Sequence, residues 1–303
     1  MDCAGLQALG SDSESLESDI SLQDIEQGSN NELASKLAEK KDLESKENYL
    51  SNRKKEAENL YETYKNGLKY LANKEYLSAK DLFEQILKSP LIVEKSLECD
   101  EIEKDLTKLK YILFKNLSLI QSKYLENYKS ALEFLIQAAK IDGTDLNLWY
   151  EIGCISLKIG KLIISKLAFE ECLDLNQEHW PSLDNLIILL FAVGNYSECL
   201  KNIFVALKMD KYYLNGLICL KKIQLSNFSL FTNEIDNFIQ TEYKECALEV
   251  DDILDQADEE NYDELINRIS FIKNLHHENV KIIKETQKID DELVVSIKAN
   301  MNR

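Results

Sequence analysis

The sequence predicts an all-α fold in which pairs of helices stack into a solenoid, and three observations support that prediction. Residues of matching size recur at a spacing of 34 positions, with columns of small residues on either side of a bulky column. Only 2 Pro and 9 Gly, the residues that interrupt helices, occur among 303. Alternating apolar and polar runs typical of strands are not found in the sequence. The columns are Trp149 and Leu183; Ala131, Ser165 and Cys199; Leu135, Phe169 and Ile203; and Ala138, Cys172 and Ala206.

A 34-residue period with these columns is the signature of the tetratricopeptide (TPR) repeat, a helix pair that buries its apolar face only against a neighbouring pair. Residues 146–179 match it best, although Gln177 replaces the usual terminal Pro. The TPR positions usually held by Trp, Leu, Gly, Ala, Phe and Ala carry Trp149, Ile152, Gly153, Ser165, Phe169 and Cys172. We predict repeat-packing roles for Trp149, Gly153, Phe169, Cys172, Trp180, Pro181, Leu183 and Ala206.

The chain begins with an acidic segment, residues 1–45, that holds eleven acids against three Lys and no aromatic residue. This composition predicts a disordered tail. Residues 46–93 are predicted to form a first TPR with a preceding helix, and Ser89-Pro90 ends that repeat because Pro lacks the amide donor. The residues that follow the TPR pattern here are Gly67, Tyr70, Tyr76, Ala79 and Phe83.

An acidic insertion is predicted at residues 94–111. Ala79 and Ala131 occupy the same column but lie 52 positions apart, which exceeds the period by 18. Six acids and two Lys fall between residues 94 and 105. Insertions of this kind map to loops or extended helices on one face of a solenoid.

Three further repeats are predicted at residues 112–213. The first of them places Leu119, Tyr128, Ala131, Leu135 and Ala138 at TPR positions, and in the last the turn between helices falls at Gly194-Asn195. Residues 214–226 then predict a capping helix, and residues 227–303 an acidic region with additional helices.

The sequence offers no chemistry typical of an enzyme, and we predict no catalytic, cofactor-binding or metal-binding residue. Phosphate-loop, dinucleotide, nucleophile-elbow and zincin motifs are not found. His179, one of 3 His, lies at a repeat junction, where a helix cap or a packing contact is the expected role. His276 and His277 are adjacent on a predicted helix, so their side chains diverge by about 100° and chelate one ion poorly.

The seven Cys predict an intracellular protein without disulfides, since their number is odd and none has the C-x-x-C spacing. Four of them, Cys154, Cys172, Cys199 and Cys219, fall on predicted helix faces where a thiol packs as a small apolar group. The sequence contains neither a secretory signal nor a window of 18 apolar residues, so we expect a soluble chain.

The formal net charge of -18 argues against direct binding of nucleic acid or of anionic membranes. The charge is concentrated in one block without a base, Glu249, Asp251, Asp252, Asp255, Asp258, Glu259, Glu260, Asp263 and Glu264. Apolar residues interleave with these acids, so an amphipathic helix pair with one acidic face is expected. Two interpretations remain open, a solvated face and a site for a basic partner.

First-helix positions of TPR repeats line a concave groove, and we predict that Tyr150, Glu151, Asp184 and Asn185 contact a partner there. Co-chaperones of this architecture clamp an acidic peptide terminus with bases on the first helices. Here those positions are mainly apolar or acidic, namely Tyr64, Leu68, Asn116, Ile120, Tyr150, Glu151, Cys154 and Asn185. A TPR co-chaperone or transport adaptor that binds peptide termini is therefore the alternative function.

Several runs in the repeats resemble one family, above all the octet at residues 179–186, which reads H-W-P-S-L-D-N-L. Residues 147–153, 167–173 and 199–210 continue the likeness. The family is Cabin, the calcineurin-binding TPR subunit of the HIRA histone-chaperone complex, similar to the fungal Hir subunits. The resemblance implies a nuclear, non-enzymatic scaffold in replication-independent chromatin assembly. It implies HIRA and ubinuclein-type subunits as partners, and basic histone segments are a further expected partner of the acidic block.

Overall fold

A computed structural model describes residues 22–94, 101–225, 233, 235–237 and 262–279. Every regular element within these residues is helical. The chain divides into two compact units between Asn59 and Leu60. The predicted all-α TPR solenoid is confirmed in the second unit, where helices pair in sequence order.

Eleven helices of four or more residues can be assigned in the described part of the chain. They are α1 Leu22–Ala72, α2 Tyr76–Leu87, α3 Pro90–Val93, α4 Glu101–Leu119, α5 Tyr128–Ala139, α6 Leu146–Lys158, α7 Leu162–Leu175, α8 Trp180–Val193, α9 Tyr196–Met209, α10 Leu214–Leu225 and α11, residues 262–279. A π-helical turn, Ile120–Tyr124, continues α4. The end of α1 pairs with α2, α4 with α5, α6 with α7, and α8 with α9. Helix α10 follows at the place predicted for the capping helix.

The predicted columns form the core of the repeats, because every one of their eleven residues is at most 2% exposed. Two cross-helix bonds recur at equivalent positions. The Ser165 hydroxyl donates to the Gly153 carbonyl at 2.9 Å, and the Cys199 thiol donates to the Ile187 carbonyl at 3.5 Å. Both bonds join residues 12 positions apart, so the period sets polar contacts as well as packing.

Gly194 adopts a left-handed backbone conformation with a φ of 80° at the end of α8, as the predicted turn requires. Asn195 then caps α9, since its side chain accepts a hydrogen bond from the Glu198 amide at 3.4 Å. A glycine followed by a capping asparagine therefore separates the two helices of this repeat with only two residues between them.

One predicted packing residue, Leu119, is placed wrongly by the sequence period, since it is 39% exposed. The period makes Leu119 the equivalent of Gly153 in the later repeat, since Leu119 lies 12 residues before Ala131 and Gly153 lies 12 residues before Ser165. The π-helical turn Ile120–Tyr124 adds one residue to this repeat, however. Ser118, which is 1% exposed, consequently takes the buried position.

The predicted boundary at residue 45 does not coincide with a change in structure. Residues 22–45, which the composition predicted to be disordered, belong to the continuous helix α1. They contain no Pro, and they carry helix-favouring pairs such as Lys40 and Glu44, whose charged atoms are 4.0 Å apart. The first 21 residues lie outside the described part of the chain.

Much of the predicted insertion is an extension of a helix. Residues 101–111 form the first half of α4, and residues 95–100 lie outside the described residues. Leu106 and Leu109 of this extension are buried, and the Tyr61 hydroxyl donates to the Asp105 carbonyl at 3.0 Å. The extension therefore packs on the first repeat.

None of the described helices combines the length and the apolar character needed to cross a bilayer.

Candidate functional site

The structure brings three predicted partner-binding residues, Tyr150, Asp184 and Asn185, to one cavity of about 620 Å³. The cavity lies on the face made by the first helices α6, α8 and α10, which we call the first-helix groove. Its lining residues are Tyr150, Trp180, Pro181, Asp184, Asn185, Asp210, Tyr212, Tyr213, Leu214, Asn215, Glu264, Leu265 and Arg268. The last three belong to α11, so this helix forms one wall.

Asp184 is the polar centre of the cavity. Its Oδ1 atom accepts hydrogen bonds from the Tyr213 hydroxyl at 2.6 Å and the Asn215 amide at 2.8 Å. Its Oδ2 atom accepts from the Arg268 guanidinium at 2.9 Å. The same guanidinium nitrogen donates to Asn185 Oδ1 at 3.2 Å. Burial, and then the nearby Asp184 carboxylate, raise the pKa of Tyr213, so its hydroxyl remains a donor.

Aromatic rings complete the walls. Trp180 meets Tyr213 edge to face, with ring centroids 4.9 Å apart, and Tyr150 meets His179 in the same way at 5.3 Å. His179 is the N-cap residue of α8, and its Nδ1 lies 2.8 Å from the Ser182 hydroxyl. Burial lowers the pKa of His179. His179 thus holds the N-cap position of α8 without a side-chain hydrogen bond to the helix backbone, and its ring packs against Tyr150.

Trp180 and Pro181 differ from the other residues predicted to pack between repeats. Trp180 is half-buried and Pro181 is exposed, and both line the cavity. Pro181 lies in the first turn of α8, where the missing amide leaves no bond unmade. This pair therefore starts the helix and faces the groove. The remaining predicted packing residues, Trp149, Gly153, Phe169, Cys172, Leu183 and Ala206, are buried as expected.

Glu151, the fourth predicted groove residue, does not line the cavity. It is exposed and lies beside Lys115 and Asp145 in a separate polar cluster. Asp145 caps α6, because its Oδ1 accepts from the Asn147 and Leu148 amides, while its Oδ2 accepts from Tyr111 and Lys115 at 2.6 Å each. Burial alone would raise the pKa of Asp145, but these donors outweigh it and lower the pKa.

Helix α11 follows the first-helix groove from α10 to the end of α6. At its start the Lys222 amine donates to the Tyr262 hydroxyl at 3.0 Å. Arg268 then bonds Asp184, and the Lys273 amine lies 5.7 Å from the centre of the Phe191 ring at the end of α8. The Asn279 amide donates to the Gly160 carbonyl. Sequence reasoning missed Arg268, because helix periodicity gives the buried face of α11 but not the distant residues it meets.

Only two members of the acidic block predicted as a partner site lie within the described residues. Its members Glu249, Asp251, Asp252, Asp255, Asp258, Glu259 and Glu260 lie outside the described residues. Asp263 and Glu264 belong to the first described turn of α11, and Glu264 lines the cavity. Among the described residues that line the cavity, three are acids, Asp184, Asp210 and Glu264, and one is a base, Arg268.

The described residues contain no group of three or more His, Cys, Asp and Glu side chains that could hold a metal ion. Cys172, Cys199 and Cys219 are buried free thiols, and burial raises the pKa of Cys172 to about 11 and that of Cys219 to about 12. These thiols are packing groups, since a nucleophilic cysteine needs a lowered pKa.

The cavity around Asp184 offers hydrogen bonds, an ion pair and aromatic faces, and these are the means by which it can bind a partner.

Comparison with known proteins identifies relatives of the repeat region. The family described as CABIN1 N-terminal domain matches residues 58–227, more than half of the chain. Calcineurin-binding protein 1 of Arabidopsis thaliana is 35% identical over 145 residues. That match covers 46% of this chain and 8% of the relative, so the chain corresponds to a small part of that protein.

Solved structures similar to this chain include helical repeat proteins. The C-terminal TPR-containing domain of an FK506-binding protein of Plasmodium falciparum has 15% identity and a TM-score of 0.39, covering 47% of this chain and 93% of that one. The TPR protein YrrB has 21% identity and a TM-score of 0.39, covering 52% and 73%. Naa15/Naa10 bound to HypK-THB has 14% identity and a TM-score of 0.36, covering 80% and 39%.

Proposed function

The chain belongs to the CABIN1 N-terminal domain family, and on this premise we propose that it is a scaffold subunit of a HIRA-like histone-chaperone complex. In that role it supports replication-independent nucleosome assembly through contacts between proteins, without catalysis. The protein-interaction scaffold itself follows from the family and from the TPR fold, since stacked helix pairs expose extended binding surfaces.

The observation that most favours this role is the character of the first-helix groove. The described residues that line its cavity include four aromatic side chains, more acids than bases, and one base, Arg268, which already pairs with Asp184. Such a surface suits the apolar and basic side chains of a partner segment. It is poorly suited to the carboxylate of an acidic peptide terminus, which the alternative co-chaperone or transport adaptor would hold.

We further propose the partners and the location. HIRA and ubinuclein-type subunits are the expected protein partners, and basic histone segments are the expected ligands of the acidic block at residues 249–264. The nucleus is the expected compartment. Direct contacts with nucleic acid or membrane are not expected, because a net charge of -18 repels both phosphate backbones and anionic lipids.

Affinity purification tests this proposal. The full-length gene product, tagged at its natural locus, is purified and its partners are identified by mass spectrometry. We expect HIRA and ubinuclein homologues to be enriched over a purification of an unrelated tagged nuclear protein. Recovery of chaperones in their place, together with binding of a peptide that ends in acidic residues to the purified chain, would favour the adaptor and overturn the proposal.

A further inference from the structure

The first-helix groove is occupied by a helix of the same chain. Helix α11 contacts all three first helices that form the groove. Tyr262 contacts α10, Arg268 contacts α8, and Asn279 contacts the end of α6. An amphipathic helix that lays its apolar face in a groove is a recurring mode of partner recognition. Helix α11 therefore occupies the space that a partner helix would enter.

We propose that α11 is an intramolecular ligand that closes the first-helix groove, and that a partner enters by replacing it with an amphipathic helix that presents a cation to Asp184. The inference rests on the proposed scaffold function only in supposing that a partner exists. It concerns which kind of partner the groove accepts, not whether that partner is a chromatin protein.

The apolar contacts define the shape of the ligand. Leu265, Ile269 and Ile272 are each at most 4% exposed and belong to the same buried cluster as residues of α8, α9 and α10. Their spacing of four and three residues puts them on one face of α11. Phe271, by contrast, is 49% exposed. The groove thus takes one apolar stripe of a helix and leaves the opposite side to solvent.

The polar contacts define the charge of the ligand. Tyr213 and Asn215 are neutral donors, so they satisfy Asp184 Oδ1 without balancing its charge. Within the described residues, Arg268 is the cation that bonds this half-buried carboxylate. A helix without a base at the equivalent position would leave the charge unbalanced inside the groove, which is costly. The position directly before an apolar anchor, as Arg268 precedes Ile269, is therefore where the cation must stand.

Covalent connection favours α11 over a free competitor. Because α11 is part of the same chain, it competes for the groove as an intramolecular ligand and does not depend on the concentration of a second molecule. A partner helix must bind more tightly than α11 does, or α11 must first be weakened. This predicts that the groove is closed in the isolated chain and opens in a complex.

A peptide with the sequence of residues 262–279, labelled with a fluorophore, tests the proposal on the full chain by fluorescence anisotropy. In the open variant, Leu265→Asp with Ile269→Asp, the attached helix loses its apolar anchors, and we expect the peptide to bind at least about tenfold more tightly than to the unmodified chain. Circular dichroism checks that the open variant keeps a cooperative thermal transition.

A charge exchange tests the role of Asp184 separately. Asp184→Arg in the open variant should weaken binding of the unmodified peptide by at least about tenfold, because it loses a charge-assisted bond. A peptide carrying Arg268→Glu should bind the open variant weakly and regain at least about tenfold with the Asp184→Arg form. Recovery of this kind distinguishes loss of a contact from loss of the fold.

Three outcomes would overturn the proposal. The first is that the unmodified chain and the open variant bind the peptide equally. The second is that neither charge reversal changes binding. The third is that light scattering gives the unmodified chain twice the mass of the monomer, with α11 exchanged between copies. All three concern the purified chain. Failure to recover HIRA-type partners from cells would leave this inference untouched and would count only against the histone-chaperone role.

Discussion

Phe169 packs against Gly153 so closely that a β-carbon on residue 153 would lie 2.4 Å from the ring atom Cε1. The same relationship recurs in the first repeat, where a β-carbon on Gly67 would lie 2.4 Å from Cε1 of Phe83. In both cases the two residues are 16 positions apart, one on each helix of a pair. The absence of a side chain on the first helix is what lets the aromatic ring of the second reach the core.

Gly153→Ala should therefore destabilise the chain, although alanine is the better helix former. Phe169 is completely buried, so overpacking at this contact should cost about 1–3 kcal/mol. Urea unfolding monitored by circular dichroism measures the change. Gly153→Ala should cost less stability when it is made in the Phe169→Leu variant than when it is made in the parent chain, because the smaller side chain leaves space for the added β-carbon. A Gly153→Ala variant more stable than the parent would contradict the close packing.

Repeat packing was the part of the fold that the sequence predicted best. Phe169 and Cys172 recur in columns whose spacing is fixed by helix geometry and by the need to bury one face, so local sequence contains the information. The π-helical turn after α4 could not be predicted, because one extra residue leaves the period between Ala131 and the later repeats unchanged. It alters only the register of the preceding helix, where Ser118 replaces Leu119 in the core.

The candidate site was predicted in part. Tyr150, Asp184 and Asn185 could be placed on the groove because their position within the repeat determines the face they occupy. Arg268 lies 84 residues after Asp184, and nothing in its local sequence specifies which carboxylate it meets. Long-range pairing of this kind depends on how α11 docks, which is a property of the tertiary structure.

Asp145 offers a test of electrostatics at the second polar cluster. Asp145→Asn keeps a side chain able to cap α6 but removes the charge that Lys115 and Tyr111 stabilise. We expect a loss of about 1–2 kcal/mol at pH 7, and about 1 kcal/mol more for Asp145→Ala, which also loses the cap. Thermal or urea unfolding of the three proteins at equal salt measures both steps.

The same variant predicts a pH dependence. The pKa of Asp145 is lower in the folded chain than in the unfolded one. Its charge therefore contributes its full stability at pH values above the ordinary carboxyl pKa of about 3.9. The contribution disappears as the pH falls through the lowered folded pKa. The stability difference between the parent chain and Asp145→Asn should be constant from neutral pH down to that range and shrink below it. A difference that grows on acidification would contradict the assignment.

His179 predicts a dependence at milder pH. Burial lowers its pKa in the folded chain, so the unfolded chain binds a proton more readily. Stability should fall as the pH drops below about 6.5, the ordinary value for histidine. His179→Asn, which removes the titrating ring and keeps a polar side chain, should be less sensitive between pH 7 and pH 5 than the parent. Urea midpoints at several pH values measure this, and identical pH profiles would show that the ring titrates as an exposed histidine does.

The acidic block predicts that binding of a basic histone segment depends strongly on salt. Raising NaCl from about 0.1 M to about 1 M shortens the Debye length from about 10 Å to about 3 Å, which screens contacts between exposed charges. We expect the affinity for a lysine-rich histone tail peptide to fall by at least about tenfold over this range. Neutralising all nine acids from Glu249 to Glu264 with Asn and Gln should abolish most of the binding at low salt. The matched control neutralises nine acids within residues 1–45, which keeps the net charge equal while leaving the block intact. If the two neutralised chains bind the peptide equally, the net charge of the protein is responsible and the block is a solvated face.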